Sequence, residues 1–186
     1  MSVEGFKAAW ARTGNLEAGY VNDPDDSGKE TNHGITVATA RAHGYTGDMK
    51  DLTEDQSMDI AKVAYWDIMR LDDVEAISAS VADEMFDTGF LCGISEAGIF
   101  LQRALNLFNR GDLPAPVYAE LVEDGIMGMT TVHSLKLYMD YRGADGETVM
   151  LRCLNCQEGA YFMELCRKYS KDEKFVFGWY LNRVTI

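Results

Sequence analysis

Val149, Cys153, Cys156, Ala160 and Met163 recur every three or four residues, the spacing that lines up one face of an α-helix. This stripe covers four turns and predicts a long helix over residues 147–168. The same period recurs elsewhere. Val3, Phe6 and Trp10 predict a short helix over 3–12. Ile35 to Ala42 reads as a helix with Thr36 as its N-cap. Thr53 and Gln56 form a capping-box signature ahead of Met58, Ala61, Tyr65 and Ile68, which predicts a helix from about 54 to 69. Val74, Ile77, Val81 and Met85 mark the next, and Ser95-Glu96 opens one that carries Leu101, Leu105 and Phe108. Val132, Leu135 and Met139 mark a short helix, and Asp172 is expected to cap a last one carrying Phe175 and Trp179. Sustained alternation of period two is absent, and only residues 20–35 suit a short hairpin. The expected fold is mainly α, with at most a short β-hairpin. A turn-rich break at 109–116 separates an N-terminal part from a C-terminal part packed against it.

Composition narrows the partners. The chain has 186 residues, of which 47% are hydrophobic and 11% aromatic, enough for a packed core. Its net charge is −13 and its pI about 4.5. Nucleic-acid affinity rests on Lys and Arg neutralising phosphates, so nucleic acid is not the expected partner, nor is an anionic membrane surface. Nothing approaches the roughly 20 apolar residues of a membrane-spanning helix. Residues 1–15 show no signal peptide, so synthesis is expected in the cytoplasm, with any wall substrate reached after release. Cys153 and Cys156 have the spacing of a zinc or redox pair, but a structural zinc needs two further ligands and Cys166 has no partner in sequence. The expectation is no metal, with the pair as small residues on the buried face of a helix.

Chemistry gathers in one stretch, residues 16–36. It starts with Glu17 behind a helix and runs through Asp, Asn, Gly, Pro and Ser, the residues of tight turns. Glu17 lies between Leu16 and Ala18, a setting that desolvates a carboxyl and keeps its proton at neutral pH, as a general acid requires. Asp26 supplies a second carboxylate to activate water or stabilise a cationic sugar, and Thr31 a hydroxyl to position that water. Tyr20, Asn32 and Trp66 are candidates for lining a sugar cleft, Trp66 equally for the core. A calcium reading competes for the loop. Asp23, Asp25, Ser27 and Gly28 match positions 1, 3, 5 and 6 of an EF-hand loop, but the twelfth position is Gly34 rather than Glu and Pro24 interrupts the run. His33 reads as a hydrogen-bonding surface residue rather than a catalytic one.

On these residues a resemblance rests. The run from Glu17-Ala18-Gly19-Tyr20-Val21-Asn22-Asp23-Pro24 through Asp26, Gly28 and Thr31-Asn32 to Gly34-Ile35-Thr36 resembles the signature of glycoside hydrolase family 108. It continues through Ala38–Met49, Ala64-Tyr65-Trp66, Phe86-Asp87-Thr88-Gly89 and Leu101–Asn106. Ala18 stands where the family has a glycine, and Ser27-Gly28-Lys29 replaces a glycine-rich pair. Asp124–Gly128, Leu151–Asn155 and Phe177–Val184 resemble the predicted peptidoglycan-binding module that follows this domain. The resemblance implies a lysozyme-like muramidase domain at 1–93 and a helical predicted peptidoglycan-binding domain at 94–186. It implies an N-acetylmuramidase of the phage or prophage endolysin kind, cutting the β-1,4 bond between N-acetylmuramic acid and N-acetylglucosamine. Glu17 is then the essential acid, with Asp26 and Thr31 similar to the Glu-Asp-Thr triad of related phage lysozymes. The implied partner is the peptidoglycan glycan strand, acted on by a monomer that needs no cofactor and does not insert into membrane. A holin or a secretion system delivers it. Two alternatives share the fold: an inactive wall-binding or phage structural module, and a secreted antibacterial effector.

Overall fold

The computed structural model describes residues 3–16, 19–22, 30–109 and 115–184. Within them the fold is mainly α. Helix α1 (Val3–Leu16) leads into a small antiparallel sheet of β1 (Tyr20–Asn22), β2 (Glu30–Asn32) and β3 (Ile35–Thr36), in the order β1-β2-β3. Helices α2 (Val37–Ala42), α3 (Glu54–Ala61), α4 (Leu71–Glu75), α5 (Ala79–Cys92), α6 (Ile94–Phe108), α7 (Met129–Lys168) and α8 (Glu173–Asn182) follow.

Several boundaries differ from the periodic reading, each for a local reason. α1 runs through Gly14 to Leu16, beyond the expected end at 12. Ile35 and Thr36 are not helical. They pair with Asn32 and Thr31, and Thr36 caps α2 by accepting from Thr39 N at 3.2 Å. The hairpin expected within 20–35 is thus a three-stranded sheet. Its two-residue turn, His33-Gly34, has positive φ at both positions (49° and 73°), the signature of a type I′ turn. The capping box at Thr53 and Gln56 forms as expected, but the helix behind it widens into a π-helical turn over Lys62–Asp67 instead of running straight to 69. The stripe from Val74 to Met85 is two helices. Ser78 interrupts it, accepting from Val81 N at 3.1 Å as the N-cap of α5 and donating to Glu147 Oε1 at 2.5 Å. The two C-terminal stripes join into α7, broken only at Gly143, whose φ of 61° and ψ of −148° are open to glycine alone. Asp172 stands at the start of α8 but makes no capping hydrogen bond.

One cluster of buried residues runs from Phe6 on α1 to Leu154 on α7, so the N-terminal and C-terminal parts share a core. At its centre Phe6, Trp66 and Phe86 meet edge to face at 5.6–5.8 Å, the arrangement that ring quadrupoles favour. The irregular segment 115–128 is held against α6 by a row of amides. Gln102 donates to Asp124 Oδ1 and Ile126 O and accepts from Gly125 N. Asn106 donates to Leu121 O and accepts from its N, and Asn109 does the same with Tyr118. Spaced at i, i+4 and i+7, these side chains give an extended strap the backbone partners it lacks.

Candidate active site

The site builds from the sheet and the helices that support it. In β2 and β3, Asn32 and Ile35 face the core, and both are buried. Their neighbours Thr31 and Thr36 are paired directly across the strands and so share the opposite face. From there a row of hydroxyls continues. Thr36 Oγ1 and Thr39 Oγ1 are 3.0 Å apart, and Thr39 also shares a hydrogen bond with Tyr65. The π-helical turn sets Tyr65 and Trp66 on different sides. Tyr65 turns to α2, its ring 5.0 Å from Phe90, which in turn packs on Trp10 of α1 at 5.9 Å. Burial raises the Tyr65 phenol above its ordinary pKa, so it remains a hydrogen-bond donor. Extra residues in a helical turn often mark a functional position, and Tyr65 lies within this one.

Thr31 Oγ1 is withdrawn from solvent and has no hydrogen-bond partner among the described residues. An unpaired buried hydroxyl costs about 1–3 kcal/mol, and such groups are rare unless a role or a water accounts for them. Glu17 and Asp26, the two carboxylates expected beside it, lie outside the described residues. So does the loop on which the calcium reading rests. Tyr20, at the start of β1, donates to Glu30 Oε1 at 2.7 Å, and Lys50 Nζ sits 5.3 Å over its ring. This hydrogen bond, then burial, raises the Tyr20 pKa.

Two expected cleft residues are elsewhere employed. Asn32 is buried, and its amide donates to Met49 O at 2.7 Å and Leu52 O at 3.2 Å, tying the sheet to the 3-10 turn Met49–Asp51. Trp66 is 1% exposed and donates from Nε1 to Asp72 Oδ1 at 2.7 Å. Its ring has no surface left for a sugar, which corrects the cleft reading and leaves the core one. His33 is half-buried in the β2–β3 turn. Cys153 is half-buried, with Gln157 Nε2 3.7 Å from its sulfur, but Cys156 is exposed, which corrects the expectation that both face inward. Among the described residues no group of three His, Cys, Asp or Glu is placed to hold a metal.

Sequence reasoning missed Tyr65 as a site candidate and missed a buried polar junction between the two halves. Arg183, near the C-terminus, pairs with Asp87 on α5, which also accepts from Thr13 on α1 at 2.7 Å. Glu158 of α7 is 1% exposed, hydrogen-bonded to Thr88, with Cys92 Sγ 4.0 Å from its Oε1. Burial, then the nearby Asp87 carboxylate, pushes Glu158 up to about 7. Burial, then the charge of Glu158, pushes Glu84 up to about 8. The signal was present, since Glu84, Asp87 and Thr88 interrupt an apolar helix, but their partners are distant in sequence: Asp87 meets Thr13 across 74 positions and Arg183 across 96.

Comparison with known proteins agrees with this architecture. A family model described as Glycosyl hydrolase 108 matches residues 10–93, and one described as Predicted Peptidoglycan domain matches residues 96–184. No curated protein matches the chain in sequence. Among solved structures, the chain is similar to SagA of Brucella abortus, with a TM-score of 0.69 and 24% identity, covering 96% of this chain and 88% of that one. That likeness concerns the fold, and the matched family models carry the chemistry. Residues 10–93 thus form a glycosyl hydrolase 108 domain, which makes the chain a glycoside hydrolase, and residues 96–184 form a predicted peptidoglycan domain.

Proposed function

We propose that this peptidoglycan hydrolase is an N-acetylmuramidase that cleaves the β-1,4 bond from N-acetylmuramic acid to N-acetylglucosamine. Glu17 donates a proton to the leaving sugar oxygen. Asp26 and Thr31 orient the attacking water or stabilise the oxocarbenium-like transition state, the division of labour that glycoside hydrolysis by paired carboxylates requires. No cofactor enters this chemistry. The observation that carries the reading is the Thr31 hydroxyl, buried on the outer face of the sheet with its hydrogen-bonding capacity unfilled among the described residues. A water held there would satisfy it. Tyr20 borders the same sheet and would contact the glycan.

On this reading residues 1–93 perform the cleavage and residues 94–186 hold the polymer. The protein acts as a monomer, is made in the cytoplasm, and meets the wall after release by a holin or a secretion system. The test uses purified peptidoglycan and permeabilised Gram-negative cells. The wild-type protein is expected to clear both, and Glu17→Gln to clear neither while still sedimenting with peptidoglycan. Equal clearing by the two proteins would overturn the assignment of Glu17. Binding without clearing by the wild type would make the protein a wall-binding module.

A further inference from the structure

α7 and α8 enclose, with the end of α5, a cavity of about 640 Å3, within the range of small-ligand sites, roughly 300–1,000 Å3. Its lining is dominated by rings: Tyr161, Phe162, Tyr169, Phe175 and Trp179, with Asp172 among them. Phe162 and Trp179 lie 5.1 Å apart at 32°, and Phe175 stacks on Trp179 at 6.0 Å and 27°. Phe162 is buried and backs the cavity, edge-on to Tyr161 at 65°, while Tyr161, Tyr169, Phe175 and Trp179 keep accessible ring surface. Leu91 and Cys92 also line the cavity, and they belong to the helix that carries Phe90, the ring against Tyr65. These two residues lie at the end of the matched hydrolase segment.

The lining carries charge of both signs, Lys171 beside Asp172. In a protein of net charge −13, Lys171 lines the cavity, while the ammonium groups of Lys168 and Lys174 sit over the rings of Tyr169 and Phe175, at 5.0 and 4.8 Å. Flat apolar faces suit the C–H faces of pyranose rings. An acid and two tyrosines suit hydroxyl and acetamido groups, and the lysines suit a carboxylate. One polymer offers all three together: an N-acetylated glycan whose alternate sugars carry a lactyl carboxylate.

We propose that this aromatic cavity is a saccharide-binding site for the glycan strand, distinct from the sheet where cleavage is proposed. The choice of ligand class rests on the proposed function. The existence of the site rests on the cavity alone. Trp10 and Trp66 are buried in the core, so of the three tryptophans only Trp179 lies where a ligand in this cavity would change its fluorescence.

The experiment titrates the full-length Glu17→Gln protein with peptide-free N-acetylglucosamine–N-acetylmuramic acid oligosaccharides and follows tryptophan emission. A saturable change is expected, absent in the added Trp179→Phe variant. Tyr169→Ala and Phe175→Ala should raise its midpoint about tenfold, since a ring contact is worth on the order of 1 kcal/mol or more. Thermal melts identify any variant that fails to fold, and Asp172→Asn, a change at the rim, then takes its place. No emission change, a midpoint indifferent to these substitutions, or a response to free stem peptide alone would overturn the proposal. Hydrolysis by the wild type is measured separately, so loss of the muramidase assignment with binding intact leaves this site standing, and the reverse result removes only the site.

Discussion

Thr31→Val separates the two roles open to a buried hydroxyl. Its Oγ1 makes no hydrogen bond among the described residues, so replacing it with a methyl of the same shape removes no hydrogen bond to any of them. The melting temperature should stay the same or rise, while peptidoglycan turnover should fall about 100-fold, the scale of one lost positioned polar group. A matched fall in stability and activity would make Thr31 structural. Asn32→Ala, its immediate neighbour, should behave in the opposite way. It leaves Met49 O and Leu52 O without their buried donor, and a denaturant midpoint should report a loss of about 1–3 kcal/mol. At this scale the sequence was a good guide to the kind of chemistry but not to each role. Trp66 and Asn32 look like sugar contacts because aromatic rings and amides suit carbohydrate, yet burial gives both to the fold. The π-helical turn cannot be read from spacing, and within it Trp66 lies in the core while Tyr65 reaches Thr39.

Among elements, the amide row on α6 is the least expected support. Gln102, Asn106 and Asn109 hold segment 115–128 with hydrogen bonds of 2.8–3.2 Å to its backbone, and Gln102 adds one of 2.9 Å to Asp124 Oδ1. Asn106→Leu keeps the helix and adds apolar surface, but strands both Leu121 N–H and C=O. We expect a destabilisation of about 1–3 kcal/mol in denaturant unfolding, with proteolytic cleavage appearing first within 115–128. The helices themselves were largely legible. The capping box at Thr53, the Thr36 cap and the stripe on α6 all form. What failed was continuity. Ser78 splits one predicted helix into two by hydrogen-bonding Glu147, a residue 69 positions away, and Gly143 lets two predicted helices join with a break. Ser78 also caps α5 locally through Val81 N, and the Gly143 break is a local backbone conformation, so neither shows in apolar spacing alone.

Across the whole molecule, the junction of α1, α5, α7 and the C-terminal arginine couples the two halves to pH. Glu84 faces Glu158, Asp87 and Asp83 and receives a hydrogen bond from Asn155, while Glu158 faces Asp87, Thr88 and Arg183. Asp83 in turn pairs with Arg12 on α1. Glu84 and Glu158 are held at about 8 and about 7, above the 4.5 of an ordinary glutamate, so the folded state binds protons that the unfolded chain has released. Their protonated forms favour the fold. Stability from these groups is therefore greatest below about 4.5 and declines as pH rises through 7 to 8. Thermal unfolding followed from pH 5.5 to 8.5 should show a falling melting temperature, and Glu84→Gln should flatten that slope. An unchanged slope would mean that Glu84 is ordinary in the folded protein.

The central claim is that a sugar–sugar bond on the reducing side of N-acetylmuramic acid is hydrolysed with Glu17 as the acid. A mass spectrum of digested peptidoglycan tests it most directly. The account predicts fragments ending in reducing N-acetylmuramic acid, absent from the Glu17→Gln digest. Fragments ending in anhydro-muramic acid, or in reducing N-acetylglucosamine, would contradict it.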